Sequence, residues 1–246
     1  MQEKVNRKRV QAVERALALL QCFDGKQEEL TLAVLARRSG FYKSTILRLA
    51  ASLENKGFLL RNSNDRFVLG PELARLGALS PVTVDLKSRI RPSLCKLVGI
   101  SEETASFWVR DGKERICIYR ENSPHAARHH LEEGGRASLD RGALAKIFRA
   151  YSPHSRDPQG AKIRGQGWAI SEGEHDTNLA AVAIPLMNIR DEMIGALSVS
   201  GIRSRFTRER VELARRILLR EGQSLSLQLV ATAKINRFST KDSKAE

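Results

Sequence analysis

The sequence predicts two folded parts. One is a winged helix-turn-helix, mostly α with a β wing, over residues 10–70; the other is an α+β domain over residues 99–232, with linker helices over 71–98 between them. Three observations carry this. A short helix, a Ser39-Gly40 turn and a longer helix precede two short strand patterns; beyond residue 100 the patterning turns to strands; and the charge is uneven. Residues 1–70 carry 13 Lys/Arg against 7 Asp/Glu, residues 71–202 carry 18 against 16, and residues 203–246 carry 11 against 5. The positive excess lies at the two ends, and a small basic domain is the footprint of phosphate binding.

In order along the chain, Val10, Val13, Leu17 and Leu20 recur at helical spacing and predict an amphipathic helix that stops near Phe23-Asp24-Gly25. Thr31 caps a second helix over Leu32–Arg38, ended by Ser39-Gly40, and a third runs from about Tyr42 to Asn55 before Lys56-Gly57. On that third helix Ile46, Leu49, Ala50 and Leu53 share one face and must pack inward. Ser44 and Arg48 lie on the opposite face, with Thr45 at its edge and Lys43 at the start. Small hydroxyls approach phosphates and base edges closely, and an arginine fork suits guanine or a phosphate. Two strands, Phe58–Arg61 and Arg66–Leu69, joined by Asn62–Asp65, form the wing and place Arg61 and Arg66 to touch backbone phosphates. Tyr42 is a poor N-cap, so it either packs locally or touches DNA.

Leu73, Leu76 and Leu79 stripe a helix over 71–80, which is either a dimerisation element or packs on its own wing. After Pro81 another helix, Val82 to Leu97, is expected to be interrupted by Pro92. Strands over 104–110 and 115–120, with Asp111-Gly112 as the tight turn, form a hairpin; a helix over 142–150 and a polar loop over 152–160 follow. Strands over 167–170, 179–187 and 196–200 come next, then a long helix from Thr207 to about Leu229. Residues 236–246 are polar and charged and predict a disordered tail.

With 41% hydrophobic and 28% charged residues in 246, the chain can build ordinary cores, and no run approaches the roughly 18 apolar residues of a membrane span. Residues 1–9 are basic with no apolar run behind them, which is not a signal peptide. Cys22, Cys95 and Cys117 are odd in number without paired spacing, which fits reduced thiols in a cytoplasm. Cys117, alternating with apolar neighbours, reads as core. His125, His129 and His130 have a spacing that could hold zinc on a helix, but no ligand completes the set, so a solvated loop and no metal is the expectation. No nucleophile elbow, P-loop or dinucleotide fingerprint occurs, so neither catalytic residues nor a cofactor are expected.

The motifs Val13-Glu14-Arg15-Ala16-Leu17, Leu35-Ala36-Arg37-Arg38-Ser39-Gly40, Lys43-Ser44-Thr45-Ile46-Leu47-Arg48-Leu49, Leu53 to Leu59 and Arg66-Phe67-Val68-Leu69-Gly70 resemble the IclR family of bacterial regulators. The resemblance continues through Asp111-Gly112, Ala143 to Lys146, Gly167-Trp168, Ala181 to Pro185 and Ala196 to Gly201. It implies a GAF-like effector-binding domain and a pocket at Ala143, Leu144, Ser171, Ala181, Ser198 and Ser200. Some members carry an acid and a cysteine where this chain has Ser171 and Ala181, so the ligand does not carry over. Hydroxyls and helix N-terminal amides suit an anion, and Arg136 and Arg141 stand just upstream of the helix over 142–150. The plainer alternative is that Ser198 and Ser200 only satisfy backbone in a buried strand.

The resemblance implies a DNA-binding regulator, more often a repressor, that acts on a double-stranded operator as a homodimer, with a tetramer possible on DNA. Its operator affinity would respond to a small organic-acid effector. A regulator without ligand response, or an enzyme or sensor module with a basic interaction domain, are the competing readings.

Overall fold

The computed structural model describes residues 10–23, 29–79, 81–129, 131–152, 158–174, 176–188 and 191–229, the side chains of 81–85 excepted. The first helix ends at Leu20, with Gln21 as its C-cap, earlier than the expected stop near Phe23-Asp24-Gly25; Asp24-Gly25, His130, most of the loop over 152–160 and the tail over 236–246 lie outside the described residues. The chain divides into two compact units, Met1–Ser80 and Pro81–Glu246.

The first unit contains α1 (Gln11–Leu20), α2 (Leu32–Ser39), α3 (Lys43–Asn55), β1 (Leu59–Arg61), β2 (Phe67–Leu69) and α4 (Pro71–Leu79). Thr31 Oγ1 accepts from the Val34 amide at 3.3 Å and starts α2. Gly40 ends it at φ +72, a left-handed turn that costs a side-chain-bearing residue energy, and its amide donates to the Ala36 carbonyl. The core gathers Leu19, Leu30, Leu35, Ile46, Ala50, Leu59 and Phe67. β1 and β2 pair antiparallel, Leu60 opposite Val68, and Asn62 Oδ1 closes their turn by accepting from the Asn64 and Arg66 amides.

The first helix departs from expectation in its orientation. Leu19 is its buried residue, whereas Val10, Val13 and Leu17 are 64%, 55% and 52% exposed. Only the last turn of α1 reaches the core: Leu20 packs against it, while the rest of the stripe, Val10, Val13 and Leu17, faces away. Nothing on α4 is buried, and Leu76 and Leu79 are exposed.

The second unit is a six-stranded antiparallel sheet in the order β5-β4-β3-β8-β7-β6. Its strands are β3 (Thr104–Asp111), β4 (Glu114–Glu121), β5 (Arg136–Ser138), β6 (Ala169–Glu172), β7 (Leu179–Met187) and β8 (Met193–Ile202). Helices α5 (Pro81–Ser101) and α8 (Arg208–Gln228) pack on one face through Leu86, Ile90, Leu94, Leu97 and Leu218. Helices α6 (Ala143–Ala150) and α7 (Pro158–Gln166) cover the other through Leu144, Ile147, Phe148 and Ile163. Sequence patterning does not predict β5 or α7, which are short and lack a clean period.

Pro92 does not interrupt α5, which runs unbroken through it. A proline inside a helix costs about 3 kcal/mol. Burying Leu86, Ile90, Leu94 and Leu97, which straddle it, contributes about 1.5–3 kcal/mol each. Packing wins, and α5 belongs to the core of the second unit rather than to a free linker.

Candidate functional site

In the first unit the candidate site is the outer face of α3. Ile46 and Ala50 are buried, so Lys43, Ser44 and Arg48 are turned to solvent and Thr45 lies half-buried at the edge. Arg48 makes no ion pair among the described residues. Tyr42 precedes the helix with no side-chain cap bond and is 85% exposed, so it does not pack locally. The two wing arginines are differently placed. Arg61 lies 3.1 Å from Asp65 and 3.9 Å from Glu54, with its guanidinium 4.6 Å above the Phe67 ring. Arg66 approaches Glu29 at 3.7 Å. Arg48 thus offers an unopposed charge, and Arg61 a charge already shared with two carboxylates.

In the second unit a cavity of about 70 Å³ lies between the sheet and α6. Ala143, Leu144, Ser171, Ala181, Ser198 and Ser200, which the family resemblance marks, all line it. Cross-strand register explains why: Ser171 opposes Ala181, and Ala181 opposes Ser200. In the next row Ser198 opposes Ser106, which in turn opposes Arg120. Small side chains in adjacent registered rows leave the space that larger ones would fill. Ser198 does more than satisfy backbone. Its Oγ lies 3.0 Å from Ser106 Oγ, which accepts from Trp108 Nε1 at 2.8 Å, a polar chain along the cavity floor. Gly142, at φ +96, turns the chain into α6 with no side-chain cap, and itself lines the cavity.

The positive charge of the cavity comes from residues that sequence reading passed over. Arg115 and Arg120 line it, 5% and 6% exposed, while Arg136 and Arg141 do not. Arg136 is engaged by Asp111 at 2.7 Å and Glu114 at 3.1 Å, and Arg141 is exposed. Burial pushes the Arg115 guanidinium down to about 10, leaving it charged at neutral pH. Burial also lowers Arg120, against the pull of Cys117 and Glu132. Arg115 Nη1 donates to the Ser138 carbonyl, and the guanidinium lies 5.4 Å from the Trp108 ring centre.

Both arginines face one way because β4 is irregular. The pairing steps from Phe107–Tyr119 to Trp108–Cys117 and skips Ile118. In a regular strand residues five apart point to opposite faces; one inserted residue restores them to the same side. Composition shows two arginines but not the bulge, which is why they were missed. His129, expected in a solvated loop, also lines the cavity and gives its carbonyl to Arg120. No group of His, Cys, Asp and Glu suited to a metal occurs among the described residues. Cys117 is buried beside Trp108, and burial raises its thiol to about 12. No described helix is long and apolar enough to cross a membrane.

With this geometry in place, comparison with known proteins is informative. The IclR helix-turn-helix domain matches residues 12–63, and the bacterial transcriptional regulator IclR C-terminal domain matches residues 80–160 and 157–227. The transcriptional regulator XynR of Escherichia coli is 25% identical over 245 residues, covering 89% of this chain and 97% of XynR. A crystal structure of an IclR regulator from Silicibacter superposes with a TM-score of 0.76 at 27% identity, covering 89% of this chain and 97% of that one. An IclR homologue from Microbacterium hydrocarbonoxydans, complexed with 4-hydroxybenzoate, superposes at 0.73 with 17% identity, covering 88% of this chain and 99% of that one.

Proposed function

The chain belongs to the IclR family of transcriptional regulators, with an N-terminal helix-turn-helix DNA-binding domain and a C-terminal effector-binding domain, and on that premise we propose that it is a repressor released or tightened by a small organic acid. The observation that carries the DNA half is the partition of α3, with Ile46 and Ala50 buried and Lys43, Ser44 and Arg48 exposed. Thr45, Arg66 and Tyr42 flank that surface, and Arg61 adds a partly shared charge. Repression fits because occupancy alone can exclude polymerase, whereas activation needs a further contact.

A homodimer is the working form, with a tetramer on DNA as the higher state and the cytoplasm as its place. Its support is exposed apolar surface on Val10, Val13 and Leu17 of α1 and on Leu76 and Leu79 of α4. Two winged domains then occupy half-sites one helical turn, or a multiple, apart.

The effector reading rests on the cavity lined by Ser171, Ser198, Ser200 and the start of α6 at Ala143, Leu144, with Ala181 alongside. Hydroxyls, helix amides and buried guanidinium groups suit a carboxylate. The aromatic carboxylate held by the Microbacterium homologue is of the same chemical kind. Ligand binding in the second domain would then bias the placement of the DNA-binding domains by a coupling of typically about 1–3 kcal/mol. A mobility-shift titration on the upstream region of the protein's own gene, with and without a carboxylic-acid library, tests both halves. Absence of any specific shift would remove the regulator reading, and a shift indifferent to every acid would remove the effector.

A further inference from the structure

The geometry points to an effector with two acidic ends, a compact dicarboxylate whose carboxylates are held apart by Arg115 and Arg120. The inference rests on the effector reading above and sharpens it. Elsewhere in the second unit, several half-buried arginines carry carboxylate partners while others donate to backbone carbonyls. Arg205 pairs with Glu103, Arg136 with Asp111 and Glu114, and Arg91 with Glu121 and Glu133. Arg115 and Arg120, the two buried arginines among the described residues, have no such partner. Arg115 donates only to the carbonyls of Ser138 and Arg141, and its Nε is buried without a hydrogen-bond partner among the described residues. Arg120 donates to Asn122 Oδ1 and the His129 carbonyl; Glu132 is within electrostatic reach but makes no hydrogen bond to it.

No Asp or Glu stands among the described residues that line the cavity. Buried charges without counter-ions are unfavourable, and a fold that keeps two of them around one cavity has left room for negative charge from outside. The arginines sit at different levels of the sheet. Arg120 opposes Ser106, which bonds Ser198, whereas Arg115 opposes Arg110 near the hairpin end and abuts Trp108. One acid group at each arginine leaves a short carbon frame between them to lie against Trp108, Leu131 and Leu144. The cavity, about 70 Å³, has room for roughly five water-sized positions, which favours a few carbons over a long chain.

The test compares acids matched in length. Malonate, succinate and glutarate are titrated against propionate, butyrate and valerate, with inorganic phosphate as a further arm, by calorimetry and thermal shift on the full chain. At least one dicarboxylate should bind tenfold or more tightly than its matched monocarboxylate. Arg115→Gln and Arg120→Gln should each abolish that advantage, while Arg115→Lys and Arg120→Lys, which keep the charge, should retain part of it and guard against misfolding. Equal affinities within each pair, or a preference that survives both Gln variants, would overturn the inference, as would a series in which no acid binds the wild type. Phosphate binding as well as the best dicarboxylate would show one anion centre, and refute two. A monocarboxylate that binds alone and is lost in Ser198→Ala/Ser200→Ala would refute the two-ended ligand yet leave the effector reading standing.

Discussion

The two arginines of the DNA-binding unit that look alike in sequence should behave differently, and the structure says by how much. Arg48 is exposed on α3 with no ion pair among the described residues, and Ser52 Oγ touches only its carbonyl. Truncation to alanine therefore removes a free fork and no folding contact. It should cost about 1–3 kcal/mol of operator binding if the fork reads a base, or five- to 150-fold, with little loss on random DNA. Arg61 shares its charge with Asp65 and Glu54 and covers the Phe67 ring. Its alanine variant should weaken operator binding severalfold at most, because a guanidinium held by two carboxylates is less free to reach DNA than the unpaired fork of Arg48. It should instead loosen the wing, since an exposed ion pair and a cation–π contact contribute about 1 kcal/mol together. Fluorescence anisotropy on operator and random duplexes across a salt series, beside thermal melts, separates the outcomes. If Arg48 contacts a phosphate, both duplexes lose affinity equally and the slope of log affinity against log salt falls by about one. A folded Arg61→Ala protein that loses more operator affinity than Arg48→Ala would refute the charge-sharing argument.

Four further outcomes are expected. Gly40→Ala meets no atom within 4 Å but must hold φ +72, so denaturant titration should show a loss of about 1–2 kcal/mol, and no loss would deny the left-handed turn. Ser106→Ala strands the buried Trp108 indole N–H and should cost about 1–3 kcal/mol by the same measurement; a neutral result would mean that the indole finds another acceptor. With maleimide at pH 8, the exposed Cys95 should label while Cys117, buried and raised to about 12, should not, because thiolate is the reactive form; mass spectrometry of native protein checks it. Light scattering at micromolar concentration should report a dimer, and Val13→Glu with Leu17→Glu should shift it to a folded monomer, checked by circular dichroism; a wild-type monomer would contradict the proposed assembly.

What was readable in the sequence was whatever obeys a period. The helix-turn-helix spacing, the wing with Asn62 in its turn, and the long strands β7 and β8 all follow from apolar recurrence and turn chemistry. The face that α1 presents was not readable, because Val10, Val13 and Leu17 form as clean an apolar stripe as any core helix, and periodicity cannot say which surface covers it. Pro92 misled for the opposite reason: a local rule about proline was overruled by packing on both sides of it. The six cavity residues came from family resemblance, and periodicity alone would not have united β6, β7, β8 and α6. Arg115 and Arg120 escaped altogether, since facing depends on a skipped residue that no propensity records.

The skipped residue, Ile118, makes the charge of the cavity a property of strand pairing. Were the bulge flattened with Ile118 drawn into the ladder, strict alternation would turn Arg120 toward the apolar layer occupied by Phe107 and Tyr119, where an unpaired guanidinium is intolerable; deleting Ile118 would instead leave Cys117, Tyr119 and Arg120 facing as they do. A relative that lacks the extra residue would therefore keep the facing of Arg120 on a regular strand, with its two arginines four residues apart. An alignment that absorbs a one-residue gap anywhere else in β4 would match side chains from opposite faces of the sheet. Where the extra residue is housed, rather than whether it is present, decides which side chains of β4 meet the ligand.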